Sequence, residues 1–369
     1  MKVGIEFCRF SKDHNGGKCQ VAYNLLRGFY ENGHIDSIVC FCHEDLKKIL
    51  LDIAPNAKIV VVPDFREKGI IPNRIKLGKC LGRLIKEQNI DIMFFTDKFA
   101  PVLKTSCKSV LIAHDILVFN ATNNKEIEYP TESVFLEKLL IKIDFILHDY
   151  IIAISEFDKN SMVKYISHSK KKIKQIYNPI VFTSYQENQE KKYITALNIQ
   201  HPHKNIMTLI KAYNEVKNEI DYNLVLVGKK PKNIKEIEEY IKNNSLDSKI
   251  KITGFVTEEE LKDIISKTRL YVNPSIFEGF GMTSVEMMGN KIPVICADNS
   301  AQREVTCGKA KYYSPSKDAH ALALVIQEEI KNPTDKELLL KYANMVKDKY
   351  DYRSIASEYW DFFNKCIEV

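Results

Sequence analysis

No stretch of this 369-residue chain stays apolar for the roughly 18 residues that a membrane-crossing helix needs, so no such helix is predicted. The opening Met1-Lys-Val-Gly-Ile-Glu reads directly as a strand, and no export leader is expected. The nine cysteines show no Cys-x-x-Cys spacing, and their number is odd. That pattern fits reduced thiols in a cytoplasmic protein better than a disulfide framework. Cys40 and Cys42 lie two apart, but nothing nearby completes a zinc ligand set. Beyond an α/β pattern shared by the two halves, there is no internal repeat and no low-complexity segment. Nor is there the aromatic and basic pattern of a known nucleic-acid reader.

What is present is the composition of an ordinary globular protein, with 45% hydrophobic and 28% charged residues. The length predicts two domains. The net charge of +6 is unevenly spread. Residues 1–179 hold 27 Lys and Arg against 21 Asp and Glu, while residues 180–369 hold 27 of each. The excess in the first half can attract an anionic surface or ligand. A solvated lysine-rich surface accounts for the same numbers.

Short apolar runs alternate with amphipathic helical stretches along the first half. Lys2–Phe7, Val39–Phe41, Ile59–Val62, Ile92–Phe95, Ser109–Ala113 and Tyr150–Ile154 read as strands. Helices are expected at about 20–32, 75–86, 133–148 and 156–165. This alternation predicts a parallel, doubly wound sheet, whose ligands sit outside the carboxyl ends of the strands. Gly16-Gly17 and His114 fall at such ends. Asn178-Pro179 and the polar stretch 184–192 read as a linker. The pattern then repeats, with strands at Tyr193–Leu197, Leu224–Val227, Ile250–Ile252, Arg269–Asn273 and Ile292–Cys296. Thr257 and Glu260 form a capping-box start for a helix running to Lys267.

The most informative stretch runs from Asn273 to Glu286. A strand leads into Pro274-Ser-Ile-Phe-Glu-Gly-Phe-Gly, then a short helix from Met282 to Gly289. Gly279 and Gly281 let the backbone approach a ligand and take positive φ. The loop delivers amides at a helix N-terminus, which favours an anion. Glu278 and Glu286 bracket it. Carboxylates accept sugar hydroxyls well and repel phosphate, so an anion-binding loop flanked by them suits a ligand with both groups.

Two glutamates with seven residues between them, in the context Pro-Ser-x-x-Glu-Gly-Phe-Gly, resemble the signature of the retaining glycosyltransferases of family 4, the glycosyl transferases group 1. Ile151–Asp158 and Ile176–Pro179 also resemble segments of that family. The resemblance implies a GT-B fold: two doubly wound Rossmann-like α/β domains facing across a cleft. Residues 1–180 would form the acceptor side and 190–350 the nucleotide-sugar donor side. Residues 351–369 would form a helix crossing back to the first domain.

The resemblance also implies roles. Lys204, at a helix start, would stabilise the donor diphosphate; His114 would sit near the reacting carbon; Glu278 would hold the sugar. Gly16, Gly17, Asn198, His203, Gly254, Phe255, Gly279, Phe280, Gly281, Met282 and Glu286 would bind the donor, with Glu286 on the ribose. Glu304 would support the site. Asn198 and His203 stand where many members carry arginine, so the phosphate meets less positive charge there. No cofactor is expected beyond a UDP- or GDP-linked sugar as co-substrate. No Asp-x-Asp pair occurs, which speaks against a metal of the kind used by the other glycosyltransferase fold.

The implied reaction moves a hexose to a hydroxyl of a glycan or lipid-linked acceptor in bacterial cell-surface polysaccharide or glycolipid synthesis, without nucleic acid. The expected location is the cytoplasm, with peripheral contact at the inner face of an anionic membrane. The helix bearing Arg74, Lys76, Lys79, Arg83 and Lys86 is the candidate membrane face. A nucleotide-sugar epimerase and a non-catalytic glycosyltransferase-like binding subunit are the alternatives.

Overall fold

A computed structural model describes the chain except residues 14–15, 67–68, 103, 123–126, 128, 130–133, 186–189 and 369. Asn15, Ser133 and part of the expected linker therefore lie outside the described residues. The chain divides into two compact units. One comprises Met1–Asn120, Pro130–Val181 and Tyr350–Val369; the other comprises Ala121–Tyr129 and Phe182–Lys349.

In the first unit the strands are β1 (Val3–Glu6), β2 (Ile38–Cys42), β3 (Lys58–Val61), β4 (Ile92–Phe95), β5 (Lys108–Ala113), β6 (Tyr150–Ala153) and β7 (Ile173–Gln175). They form one parallel sheet in the order β3-β2-β1-β4-β5-β6-β7. The helices are α1 (Gly17–Glu31), α2 (Glu44–Ile53), α3 (Ile70–Glu87), α4 (Leu117–Ala121), α5 (Val134–Leu147) and α6 (Glu156–Tyr165). Strands β1, β2 and β4 are buried along their whole length. Burial on both faces explains why they read as continuous apolar runs rather than alternating ones. The edge strand β3 is exposed at both ends and half-buried at Ile59 and Val60.

The second unit repeats the plan. Its strands are β8 (Tyr193–Leu197), β9 (Asn223–Val227), β10 (Ile250–Ile252), β11 (Thr268–Asn273), β12 (Val294–Ala297) and β13 (Lys311–Tyr313), in the order β10-β9-β8-β11-β12-β13. Its helices are α7 (Ile206–Val216), α8 (Ile234–Asn243), α9 (Glu258–Ser266), α10 (Met282–Gly289), α11 (Gln302–Val305), α12 (Ala319–Lys331) and α13 (Lys336–Tyr350). Thr257 and Glu260 do form the capping box that starts α9. Helix α7 packs on α12, and both close over a core that includes Ile194, Leu209, Tyr213, Leu226 and Leu322.

The last helix, α14 (Tyr352–Glu368), belongs to the first unit and lies along α1. Tyr359 and Phe363 meet Phe94 edge-on or tilted, and Trp360 meets Phe29. Gly28 lets α1 and α14 approach this closely. A Cβ there would lie 2.5 Å from that of Ala356 and 2.6 Å from the Tyr352 carbonyl oxygen.

One expectation needs correction. Arg74 is not part of the exposed basic face of α3. It is buried and paired with Asp144 of α5, and its Nε donates to the Ala100 carbonyl at 2.7 Å. The fixed carboxylate and carbonyl draw it inward. Lys76, Lys79, Arg83 and Lys86 do face solvent.

Gly28→Ala gains about 1 kcal/mol of helix propensity but forces backbone and side chain apart across α1 and α14, costing about 1–3 kcal/mol. The expected outcome is a net loss of stability, larger for Gly28→Val, measured by urea unfolding.

Candidate active site

Each sheet reverses its direction of growth once. In the first unit this happens between β1 and β4, and in the second between β8 and β11. At such a point the flanking helices diverge and leave a crevice at the carboxyl ends of the strands.

In the second unit the crevice is flanked by the segments after β8 and β11. After β8, residues Pro202–Lys204 make a single tight turn, and Asn205 takes a left-handed φ of 53° before α7. Asn205 Nδ2 donates to the Pro274 carbonyl at 3.1 Å and to the Ser316 carbonyl at 2.8 Å. The Ile276 amide donates to the His203 carbonyl at 2.8 Å. These bonds hold the two loops together. They bring Lys204 Nζ to 2.7 Å from Glu278 Oε1. The same oxygen accepts from Ser275 Oγ at 2.8 Å and lies 3.4 Å from Asn273 Nδ2. Burial alone would raise the Glu278 carboxyl. The adjoining Lys204 ammonium and the Ser275 hydroxyl outweigh that and hold it below its ordinary value.

Glu286 has the opposite environment. It lies half-buried on α10, two turns beyond Glu278 in the chain, with no ion pair among the described residues. Burial pushes its carboxyl up to about 7. Two carboxyls eight positions apart therefore differ in charge near neutrality, because only one has a cation. Gly281 starts α10 with a left-handed φ of 90°. A Cβ at Gly281 would sit 3.3 Å from Gln302 Oε1 and 3.7 Å from Glu278 Cγ, so it is the left-handed backbone more than the space that calls for glycine. Phe280 is buried beneath the loop, while Gly279 and Met282 are half-buried. The amides of Gly281 and Met282 open α10 without a side-chain cap.

Other predicted residues stand nearby on the same edge. Asn198 follows β8 in a left-handed turn and is exposed. The Gly228 amide, after β9, donates to the Gly254 carbonyl at 3.1 Å, so these two glycines form a bridge beside Asn198. Phe255 next to it is 84% exposed, which makes it an open apolar shelf rather than a buried wall. The His203 ring stacks on His201, their centroids 5.4 Å apart.

Sequence reasoning missed Asn205 and Gln302. Asn205 carried a signal, since asparagine tolerates a left-handed turn at a helix start. Gln302 carried none. It is fully buried under Gly281, and its Nε2 finds no hydrogen-bond partner among the described residues. Glu304, singled out from the same helix, is half-buried.

In the first unit, Gly16 precedes α1 and Gly17 is its first residue; both are exposed. Gly16 has an ordinary extended φ of −78°, so it is the lack of a side chain that matters there. Lys18 pairs with Asp97 at 3.0 Å across the β1–β4 reversal. Lys98 is buried and pairs with Asp115 at 2.8 Å. His114 follows the end of β5, and its Nε2 lies 2.9 Å from the Thr96 carbonyl oxygen. A carbonyl only accepts, so Nε2 carries the hydrogen and Nδ1 is left as an acceptor. Burial pushes the imidazole down to about 4, against the pull of Asp97, so His114 is neutral at pH 7. It can take a hydrogen bond from a hydroxyl and does not act as a cation.

Residues 179–348 match the family described as glycosyl transferases group 1. That match, the two doubly wound sheets and the site after β8 and β11 together support a GT-B glycosyltransferase. The O-antigen chain mannosyltransferase RfbU of Salmonella typhimurium is 27% identical over 318 residues, spanning 81% of this chain and 83% of that one. HepE of Anabaena, solved in complex with UDP and glucose, aligns with a TM-score of 0.76 at 15% identity, over 99% of both chains. The sucrose-phosphate synthase of Thermosynechococcus elongatus aligns with a TM-score of 0.77 at 15% identity, over 99% of this chain and 98% of its own. At such low identity these structures establish the fold.

Removing Lys204 leaves Glu278 a part-buried carboxylate without its cation. Lys204→Met is expected to cost about 1–3 kcal/mol at pH 7, and Lys204→Met with Glu278→Gln less than the sum of the two. Because the pair holds the Glu278 carboxyl below its ordinary 4.5, its contribution is fully present above that pH and is lost as pH falls through the folded value. Urea unfolding of the four proteins at pH 7 and at pH 4 checks both statements.

Proposed function

We propose that the chain is a retaining, metal-independent hexosyltransferase of family 4, moving mannose from a nucleoside-diphosphate sugar to a lipid-linked glycan acceptor in cell-surface polysaccharide assembly. The observation that carries this is the Lys204–Glu278 pair at the β8–β11 reversal, beside the uncapped start of α10. The choice of mannose and of O-antigen-like polysaccharide follows the named relative RfbU. The location that fits is the cytoplasm, at the inner face of the membrane.

On this reading Lys204 exchanges partners. In the free protein its ammonium is neutralised by Glu278. A donor diphosphate takes over the ammonium together with the α10 amides. Glu278 is then released to accept hydroxyl groups of the sugar, and Glu286 accepts the ribose hydroxyls. As the bond from C1 to the phosphate oxygen breaks, charge grows on the leaving diphosphate, and Lys204 and the amides stabilise it. The acceptor oxygen bonds to C1 on the same face, which retains the anomeric configuration, and its proton passes to the departing phosphate. Neutral His114 offers Nδ1 to a sugar hydroxyl.

The test is a panel of UDP-, GDP- and ADP-sugars, including the mannose forms, with wild type and Lys204→Ala. One nucleotide should bind selectively, and diphosphate release should be lost in the variant. A folded protein that binds none of them at millimolar concentration refutes the reading in favour of a binding subunit. Release of an altered free sugar would identify an epimerase. Two variants probe the exchange. Glu278→Gln frees Lys204, so sugar-free nucleoside diphosphate should bind roughly fivefold tighter, about 1 kcal/mol, while transfer falls about 100-fold or more. Because the Glu286 carboxyl stands at about 7, and its ionised form is the better hydroxyl acceptor, donor affinity should rise as pH increases through 7. Titration calorimetry should find that rise flattened in Glu286→Gln.

A further inference from the structure

We infer that the stacked rings of His201 and His203 take up a proton when a diphosphate enters the crevice beside Lys204, so that donor binding is coupled to protonation of the pair. The inference deepens the diphosphate role proposed for Lys204 and rests on it. It brings in His201 as a second binding residue and adds a proton from solvent to the partner exchange.

The two histidines flank Pro202 at the tight turn before α7. Backbone bonds close that turn. The Lys204 amide donates to the His201 carbonyl at 3.0 Å, and the Asn205 amide to the Pro202 carbonyl at 3.0 Å. The His203 carbonyl is itself held by the Ile276 amide across the crevice. On this fixed backbone the imidazoles lie face to face, 8° from parallel. His201 is exposed and His203 half-buried, so solvent can deliver a proton. Both rings belong to the Lys204–Glu278 cluster. His203 is close enough to Glu278 to help hold its carboxyl down, after Lys204. Partial desolvation, and then the nearby Lys204 ammonium, hold the His201 imidazole below its ordinary value.

Charge balance decides what a diphosphate does here. In the free protein Lys204 and Glu278 neutralise each other at 2.7 Å. A proton on His201 would face the Lys204 ammonium, so the ring stays neutral at pH 7. A nucleotide sugar brings a negative charge on each of two phosphates. Lys204 answers one of them, and the Glu278 carboxylate stays close by. The deficit falls on groups that titrate near neutrality, and the stacked imidazoles are such groups. One proton serves the pair, because a second would meet the first across 5.4 Å. Other charges around the turn are already placed. After β9, Lys230 pairs with Glu238 at 2.9 Å, and Lys229 is exposed. After β13, Lys317 is exposed, and Asp318 Oδ1 accepts from the Ala321 amide at 2.9 Å. Glu286 on α10 works in the opposite sense, since its ionised form serves the ribose. The imidazolium stands with Lys204 where charge grows on the leaving diphosphate, so the same proton favours bond breaking.

The test is titration calorimetry of UDP and GDP at pH 7 in buffers of different ionisation enthalpy, which counts the protons taken up on binding. Wild type is compared with the double variant His201→Gln with His203→Gln, which cannot hold the proton, and with His203→Arg, which carries a fixed charge. The nucleotide and Glu286 titrate alike in all three, so differences between the proteins isolate the ring pair. Wild type should take up roughly half a proton more than either variant. The pair holds its proton better with diphosphate bound, so its contribution to affinity is present at low pH and lost as pH rises through the bound value. The double variant should therefore bind roughly fivefold more weakly than wild type at pH 6, and about as well at pH 8.5. His203→Arg should match wild type at pH 6 and exceed it at pH 8.5. Unchanged urea unfolding shows that the variants are intact. The inference is overturned if the double variant takes up as many protons as wild type, or loses affinity equally at both pH values, as a packing role would require. It is also overturned if the uptake disappears only in Glu278→Gln, which would place the proton on that carboxylate. A protein that binds UDP or GDP without the proton difference loses this inference alone. One that binds neither loses the transferase reading and this inference with it.

Discussion

Parallel strands need a crossover after each one, so all their carboxyl ends share one edge, and the loops that leave them cannot all leave in the same direction. Where the order reverses, two helices part and backbone amides face an open crevice. Both units of this protein are built on that constraint. In each, the reversal is spanned by a lysine from the segment after the unit's first strand and a carboxylate from the segment across it: Lys18 with Asp97, and Lys204 with Glu278. The sheets supply rigidity, and the charges lie where rigidity leaves room for a ligand.

Electrostatics then divides the work among like groups. Glu278 and Glu286 flank one loop and one helix, yet the first is ionised beside a lysine and the second is raised by burial without one. His114 is kept neutral by burial although Asp97 and Asp115 are close. Lys98 and Arg74 spend their charge inside the first unit, on Asp115 and Asp144. That pairing satisfies charged groups buried beneath the strand ends.

The alternation of strands and helices along the chain, the two-unit plan and the loop around Glu278 were legible because they are written in local patterns. Buried parallel strands give continuous apolar runs, and a glycine loop between a strand and a helix has few alternatives. Other features were not legible. Helices α8 and α13 were not read from the sequence, although Ile237 and Ile241 of α8 and Ala343, Val346 and Tyr350 of α13 are buried at helical spacing. Arg74 reads as one cation among five on a basic helix, and only the placement of Asp144 and the Ala100 carbonyl turns it inward. Phe135 and Leu139 look like core residues in a row of apolar letters, because a sequence does not say which side of a helix meets the sheet.

The sequence by itself determined the doubly wound architecture and the residue types of the site: two glutamates, a helix-start lysine and glycines at the tight turns. These depend on periodicity and backbone conformation, which neighbours in the chain dictate. Tertiary structure alone decided that Lys204 meets Glu278 across 74 positions, that Asn205 joins two loops, that Gln302 lies under Gly281, and that α5 shows an apolar face outward. Such contacts depend on how the crossovers stack on the sheet, and the desolvation and pairing that set each charge exist only once the chain has folded.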